Sequence, residues 1–272
     1  LLSQELAGSL DLHLNLTETE ARITAEGKAL TLPGAIGIGG ISLKGQVADL
    51  PALAGIEARF QVDGLKTAEV AGDLTLTAKG TQAALELTAT SSLTTPIGPA
   101  TLAAEADLDI PGNRLSLTKL ETQANGETLR LLATGTLDLK EGLAVDRLRL
   151  GLATGTLDLT GRLLPELDLA ASIDKLPLDR VAALAGGPEA AGLLALQAKL
   201  TGKPEAPVGV LNLKASGLRL VGNGGFGLPP TDLDASLTLK PGANALDASA
   251  QMGPKGNLRL RGQVGGTLPA AP

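Results

Sequence analysis

Leucine alternates with polar residues in run after run of this chain. Leu10, Leu12 and Leu14 are interleaved with Asp11, His13 and Asn15, and Leu74 and Leu76 with Asp73, Thr75 and Thr77. Leu102, Ala104, Ala106, Leu108 and Ile110 are interleaved with Glu105, Asp107 and Asp109. The pattern returns at Leu167, Leu169, Ala171 and Ile173, and again at Leu233, Ala235, Leu237 and Leu239. Successive side chains of an extended strand point to opposite faces, so each run has one apolar and one polar face. A sheet buried on both faces would show continuous apolar runs instead. Leucine favours strands less than valine or isoleucine does, but no helical stripe at three- and four-residue spacing is present in these runs. The alternation therefore predicts strands.

Leucines two residues apart extend the set: Leu85 and Leu87, Leu115 and Leu117, Leu137 and Leu139, Leu148 and Leu150, Leu157 and Leu159, Leu194 and Leu196, Leu211 and Leu213, and Leu258 and Leu260. Together with the leucines above and Ile173 they are the expected lining of one apolar face. Turn signals separate the runs at Pro111-Gly112-Asn113, Asn125-Gly126, Glu141-Gly142, Pro241-Gly242-Ala243-Asn244 and Gly253-Pro254-Lys255-Gly256. The expected fold is all-β: a long, twisted, mainly antiparallel sheet of many short strands, curled into an open apolar groove.

The heptapeptide Ala-Thr-Gly-Thr-Leu-Asp-Leu at Ala133–Leu139 recurs at Ala153–Leu159, with looser relatives at Ala71–Leu76 and Leu6–Leu12. A glycine before an apolar run marks a bulge or bend, and repetition of this kind points to a quasi-one-dimensional architecture. One segment departs from the pattern. Leu178, Val181, Ala182, Leu184 and Ala185 share a helical face after Leu176-Pro177, and Gly186-Gly187-Pro188 stops it. This predicts a short amphipathic helix over Leu178–Ala185 that plugs or flanks the apolar face. The domain expectation is one continuous groove over 1–272, with a first strand series at 1–176, the helix region at 177–187 and a second series at 188–272.

Composition narrows the function. Hydrophobic residues make up 43% of the chain, but the aromatics are only Phe60 and Phe226, with no Trp or Tyr. An apolar surface built from Leu, Ala, Val and Ile suits acyl chains better than ligands that need stacking. The charge is −6 with no basic block, which argues against nucleic acid. Cysteine is absent and His13 is the single histidine, so thiol chemistry, His-based metal sites and Ser-His-Asp triads have almost nothing to use. The expectation is a non-enzymatic protein with no cofactor and no metal. No apolar run is long enough to span a bilayer, and the chain opens Leu1-Leu2-Ser3 without a signal peptide. It reads as an internal piece of a longer chain.

The stretch from Leu129 to Leu220 resembles the TamB/AsmA-like family. The recurring Gly-Thr-Leu-Asp-Leu strand carries the likeness, with Asp174-Lys175-Leu176-Pro177-Leu178-Asp179 leading into a short helix and a strand at Ala191–Leu200 after it. The junction Thr201-Gly202-Lys203-Pro204-Glu205-Ala206-Pro207-Val208-Gly209-Val210-Leu211-Asn212-Leu213 is the third part. Residues 1–128 and 221–272 match in general strand character only. The resemblance implies a sheet folded lengthwise into a U-shaped groove, within a protein anchored in the inner membrane and extending through the periplasm. It implies transfer of phospholipid to the outer membrane, a TamA-like outer-membrane barrel partner reached outside these residues, and an older role in outer-membrane protein assembly. Roughly 18 strands at about 4.8 Å each would extend on the order of 85 Å, and an empty apolar trough of that length would be an anomalous patch.

Sharper readings are weaker. Gly222-Asn223-Gly224-Gly225-Phe226-Gly227 matches the dinucleotide fingerprint, but Leu228-Pro229-Pro230 is incompatible with the helix that must follow. Ser116-Leu117-Thr118-Lys119 has penicillin-enzyme spacing, yet in a regular strand that offset sends Ser and Lys to opposite faces. Asp107 with Asp109, and Asp232 with Asp234, lack the aromatic platform or glycine-turn loop that sugar or calcium chemistry needs. His13 and the sequon Asn15-Leu16-Thr17 read as strand surface. The rivals from other classes are a closed structural β-solenoid of the adhesin type and a chaperone-like scaffold that binds strands at its edges.

Overall fold

The computed structural model describes residues 7–32, 36–185, 190–220, 229–254 and 256–264. The glycine-rich run 222–227, the helix stop at 186–188, Lys255 and residues 1–6 lie outside them. Over the described residues the chain is all-β, with seventeen antiparallel strands and one short helix. It divides into two compact units, Leu1–Gly126 and Glu127–Pro272. The boundary falls at the Asn125-Gly126 turn, whereas the sequence pattern is interrupted at the helix.

The first unit is a meander of β1 (Ala7–Leu16), β2 (Ala21–Leu32), β3 (Ile36–Asp49), β4 (Ala54–Lys66), β5 (Ala71–Thr81), β6 (Ala84–Thr95), β7 (Gly98–Asp109) and β8 (Arg114–Ala124). Each strand pairs with the next in sequence. The second unit holds β9 (Glu127–Asp138), β10 (Leu143–Leu152), β11 (Gly155–Leu164) and β12 (Leu167–Pro177), then helix α1 (Leu178–Ala185). It continues through β13 (Ala190–Lys203), β14 (Ala206–Leu220), β15 (Thr231–Leu239), β16 (Asn244–Met252) and β17 (Gly256–Val264), again each paired with the next strand. Antiparallel pairing of consecutive strands is a hairpin ladder. It differs from the coil-on-coil stacking of a closed solenoid. The two copies of Ala-Thr-Gly-Thr-Leu-Asp-Leu are accordingly not equivalent units: the first runs through the end of β9, and the second makes the β10–β11 turn and starts β11.

Neither unit closes on itself. Among the described residues no large side chain is fully buried, and the well-covered apolar ones are only Val62, Leu85, Val145, Leu150, Leu152, Ala198, Ala215 and Leu239. Glycine allows tight approach between strands. A Cβ on Gly72 would collide with the carbonyl of Ser92, and one on Gly155 would sit 2.7 Å from Leu176 Cα.

A bulge recurs in both units. The register shifts between Val62 and Leu65 against β5, and between Ala215 and Leu218 against β15. Gly64 (φ +61°) and Gly217 (φ +62°) occupy these shifts in the left-handed region that glycine adopts without strain. The Gly64 N–H donates to Asp73 Oδ1 and the Gly217 N–H to Asp232 Oδ1, both at 2.8 Å. The extra residue restores parity, so Leu65 and Leu218 return to the apolar side. Gly64→Ala should cost about 1–2 kcal/mol from its left-handed backbone alone, and Asp73→Ala about 1 kcal/mol from the lost hydrogen bond. Since both act on one bulge, the double variant should lose less than the sum in urea unfolding. Strict additivity would show that glycine and aspartate act separately.

Candidate functional site

Directly opposed residues of an antiparallel pair share a face, so the registers trace each apolar row. In the first unit Leu12 lies opposite Ala25, Ala25 opposite Leu43, Leu43 opposite Phe60 and Phe60 opposite Leu76. The row continues from Leu76 to Ala89 and Ala104, and two same-face positions along the strands Leu85 meets Leu108, which meets Leu115. Leu10, Leu14, Leu74, Leu87, Leu102 and Leu117 stand on the same face. A hollow of 390 Å³ opens on it, lined chiefly by Leu43, Ala58, Phe60, Leu76, Ala78, Leu87, Ala89, Ala104, Ala106 and Leu115. Side chains from six consecutive strands, β3 to β8, can surround one hollow only where the sheet bends toward them. This hollow lies on the apolar side of the unit.

A larger hollow of 490 Å³ lies on the opposite face, among Arg22, Thr24, Lys44, Gln46, Glu57, Arg59 and Lys79. Its walls are long charged side chains standing in water, with Lys79 3.6 Å from Glu57. Size alone does not make it the functional surface.

In the second unit Leu150 lies opposite Leu157, Leu157 opposite Ile173, Ile173 opposite Leu196, and Leu196 opposite Leu213. Leu148 and Leu159 pair beside them, and Leu137 lies opposite Val145. Leu167, Leu169, Leu194, Leu211, Leu233, Leu237 and Leu239 share this face with Leu258 and Leu260. Leu139 lies one residue past the end of β9. The leucines of β1 and β17 face the same way as their neighbours but are far more open: Leu12 is 62% exposed and Leu258 59%.

Several members of the rows escape the leucine pattern. Ile23 and Ala25 of β2, Ile41, Leu43 and Val47 of β3, and Ile56, Ala58, Phe60 and Val62 of β4 belong to the first row. Gly27 and Gly45 occupy row positions there and interrupt the apolar count. In the second unit Leu131, Leu152, Leu176 and Leu246 were hidden by bulges and by mixed neighbours.

Helix α1 lies against β12 and β13 and also reaches β9. Since β10 and β11 lie between β12 and β9 in the pairing order, the helix bridges the trough at their end. Leu150 and Leu152 of β10 are correspondingly only 9% and 6% exposed. The far side of the bridge is fixed by Arg180, which donates to Glu127 Oε1 at 2.6 Å. Glu127 is the one buried charged residue among those described. The Glu127 carboxylate, and then Asp179, hold the Arg180 guanidinium above its ordinary range.

The sharper candidates resolve into structural roles. Lys119 donates to Glu105 at 2.9 Å, and that carboxylate holds its ammonium above the usual lysine range. The expectation that Ser116 and Lys119 face opposite ways needs correcting. A bulge between Glu105 and Ala106 in the β7–β8 register puts Ser116 opposite Asp107 and Lys119 opposite Glu105, on one polar face. Asp109 accepts the Gly112 N–H in a turn at 2.9 Å, Asp232 clamps Gly217, and Asp234 lies 3.4 Å from Lys214. Asp247 is held below the ordinary carboxylate range, first by the hydrogen bond from Arg259 and then by Arg261. His13 is exposed on the polar face opposite Thr24.

Compared with known protein families, curated proteins and solved structures, the chain matches none.

The Glu127–Arg180 pair should show an asymmetry in unfolding. Arg180→Ala leaves a buried carboxylate without its partner and should lower the unfolding midpoint. Glu127→Gln leaves a neutral amide and should cost less. Equal losses would mean that the carboxylate is hydrated and the helix is not fixed by this pair.

Proposed function

We propose that the apolar face is a groove for phospholipid acyl chains, and that the chain is a periplasmic segment of a TamB/AsmA-like protein moving phospholipid between the inner and outer membranes. The observation that supports this best is the continuous, largely part-exposed apolar row with a hollow on it in the first unit, most of the charge standing on the other face. At about 4.8 Å per strand the row runs on the order of 35 Å in the first unit and 40 Å in the second. Each methylene moved from water onto such a surface gains about 0.8 kcal/mol. The lining is mainly Leu, Ala, Ile and Val, with Ser91 and Thr122 among its few polar members in the first unit, so a bound chain can shift from strand to strand with little change in energy. Transport needs that evenness, whereas a specific pocket would hold its ligand. Among the described residues no helix is long and apolar enough to cross a membrane. In this reading the groove does no covalent chemistry and needs no cofactor, and a TamA-like barrel is a partner met outside these residues.

The test is lipid extraction and native mass spectrometry of the purified protein, with uptake of a fluorescent fatty acid as a second readout. Phospholipid should co-purify with the protein. Leu157→Asp with Leu159→Arg puts charge into one layer of the second row, at a cost of several kcal/mol to a passing acyl chain. This variant should stay folded by circular dichroism and lose transfer between donor and acceptor vesicles. Full transfer by the folded double variant, or a wild-type protein that takes up neither lipid nor fatty acid, would sink the proposal.

A further inference from the structure

We infer that the polar face of the first unit carries a binding site for an anionic phosphate group, built by Lys44 and Arg59 between Thr24 and Thr77. It lies across the sheet from the apolar row, so the inference is independent of what that row carries.

Strand register gathers the site. Lys44 of β3 stands directly opposite Arg59 of β4, with Thr24 of β2 opposite Lys44 and Thr77 of β5 opposite Arg59. Neighbouring strands thus set hydroxyl, ammonium, guanidinium and hydroxyl in one row, each of them a hydrogen-bond donor. All of these residues line the hollow of 490 Å³, which Arg22 and Lys79 also border. Like charges directly opposite each other destabilise a sheet. Nearby registers avoid this by seating Lys79 opposite Glu57 and Lys119 opposite Glu105. The cations are scattered in the sequence, and only the pairing of β2 to β5 brings them together.

The hollow does not neutralise the Lys44 and Arg59 charges itself. Glu57 is the one carboxylate among its lining residues, against four cations. That carboxylate accepts from Gln46 Nε2 at 2.9 Å and lies 3.6 Å from Lys79. Arg22 is 3.4 Å from Glu20, and the Arg59 guanidinium donates to the neutral Gln61 Oε1 at 3.3 Å. Among the described residues neither Lys44 nor Arg59 has an ion-pair partner. Adjacent strands lie about 4.8 Å apart, so the two long side chains can close on one anion with the threonines at its sides. A phosphate offers more acceptor oxygens than a carboxylate and can use the hydroxyls as well as the charges. The chain as a whole carries −6, so its overall field repels anions and binding must come from this local arrangement.

The test is titration of the purified protein with inorganic phosphate and with glycerol phosphate at constant ionic strength, followed by calorimetry and amide NMR shifts. Binding should saturate and move the amides of Thr24, Lys44, Arg59 and Thr77. Lys44→Gln and Arg59→Gln should each weaken it about tenfold through loss of one charge-assisted contact, while Lys214→Gln in the second unit should change nothing. Lys44→Gln relieves a like-charge pair, so its urea midpoint should not fall, which separates lost binding from lost fold. Flotation with phosphatidylcholine vesicles, with and without phosphatidylglycerol, identifies the source of the phosphate. Binding to the anionic vesicles that depends on Lys44 assigns a lipid headgroup, and binding of glycerol phosphate without vesicle binding assigns a soluble phosphate ester. Shifts no larger than those from chloride at the same ionic strength, tighter binding of a polyglutamate peptide, or phosphate binding unchanged in both glutamine variants would overturn the proposal.

Discussion

Everything in this chain depends on keeping side-chain parity from one strand to the next. A slip of one residue would turn a strand's leucines to water and its charges to the groove. The hydrogen-bond ladder cannot prevent a slip by itself, because it is indifferent to side chains. What holds the register is the fixed hairpin turns and bulges at defined places. The Asp73–Gly64 and Asp232–Gly217 clamps show how this works. Each inserts one residue where the strand would otherwise drift, and an aspartate on the neighbouring strand holds the freed N–H.

Parity without closure explains the burial. One side of each unit is apolar and, among the described residues, no second sheet covers it, so most row side chains stay partly exposed and only a few, such as Leu85, Leu150 and Leu239, are well covered. At some row positions large and small residues face each other across strands, as at Leu12 and Ala25, Leu76 and Ala89, and Ala198 and Leu211. This lets adjacent strands pack without aromatic bulk and leaves the surface even. The exposed ion pairs on the other face contribute little stability individually. They act more as a rule about which face may meet water. Glu127 differs because it is buried, and its loss of a partner would be felt in full.

The strand class, the mainly antiparallel order and the helix at Leu178–Ala185 were legible in the sequence, since side-chain periodicity and the turn residues between runs carry them. Leu74, Leu76, Leu157 and Leu159 were legible for the same reason. Strands β2 to β4 were not, because Gly27 and Gly45 stand at row positions and the remaining members are isoleucine, valine, alanine and Phe60. Ser116 and Lys119 were placed on opposite faces because a bulge has no reliable signature in the residue spacing. Glu127 and Arg180 are 53 residues apart, and nothing local to either residue announces the pair. Local pattern carries the faces, whereas the places where faces are corrected or bridged are long-range.

Among the described residues the helix makes the most extensive contacts beyond neighbouring strands. A meander in which each strand touches only the next is stable in proportion to its local pairings and can open at any joint. By reaching from β12 and β13 to β9, α1 ties strands three and four places apart. Opening between β9 and β12 must then break the Arg180–Glu127 pair or release the helix. Leu150 and Leu152, at the end of β10 on the helix side, are among the best-covered strand residues. Rigidity is concentrated where the trough is roofed, and the strands farthest from the roof, β16 and β17, are left to hairpin pairing and the Asp247 fork.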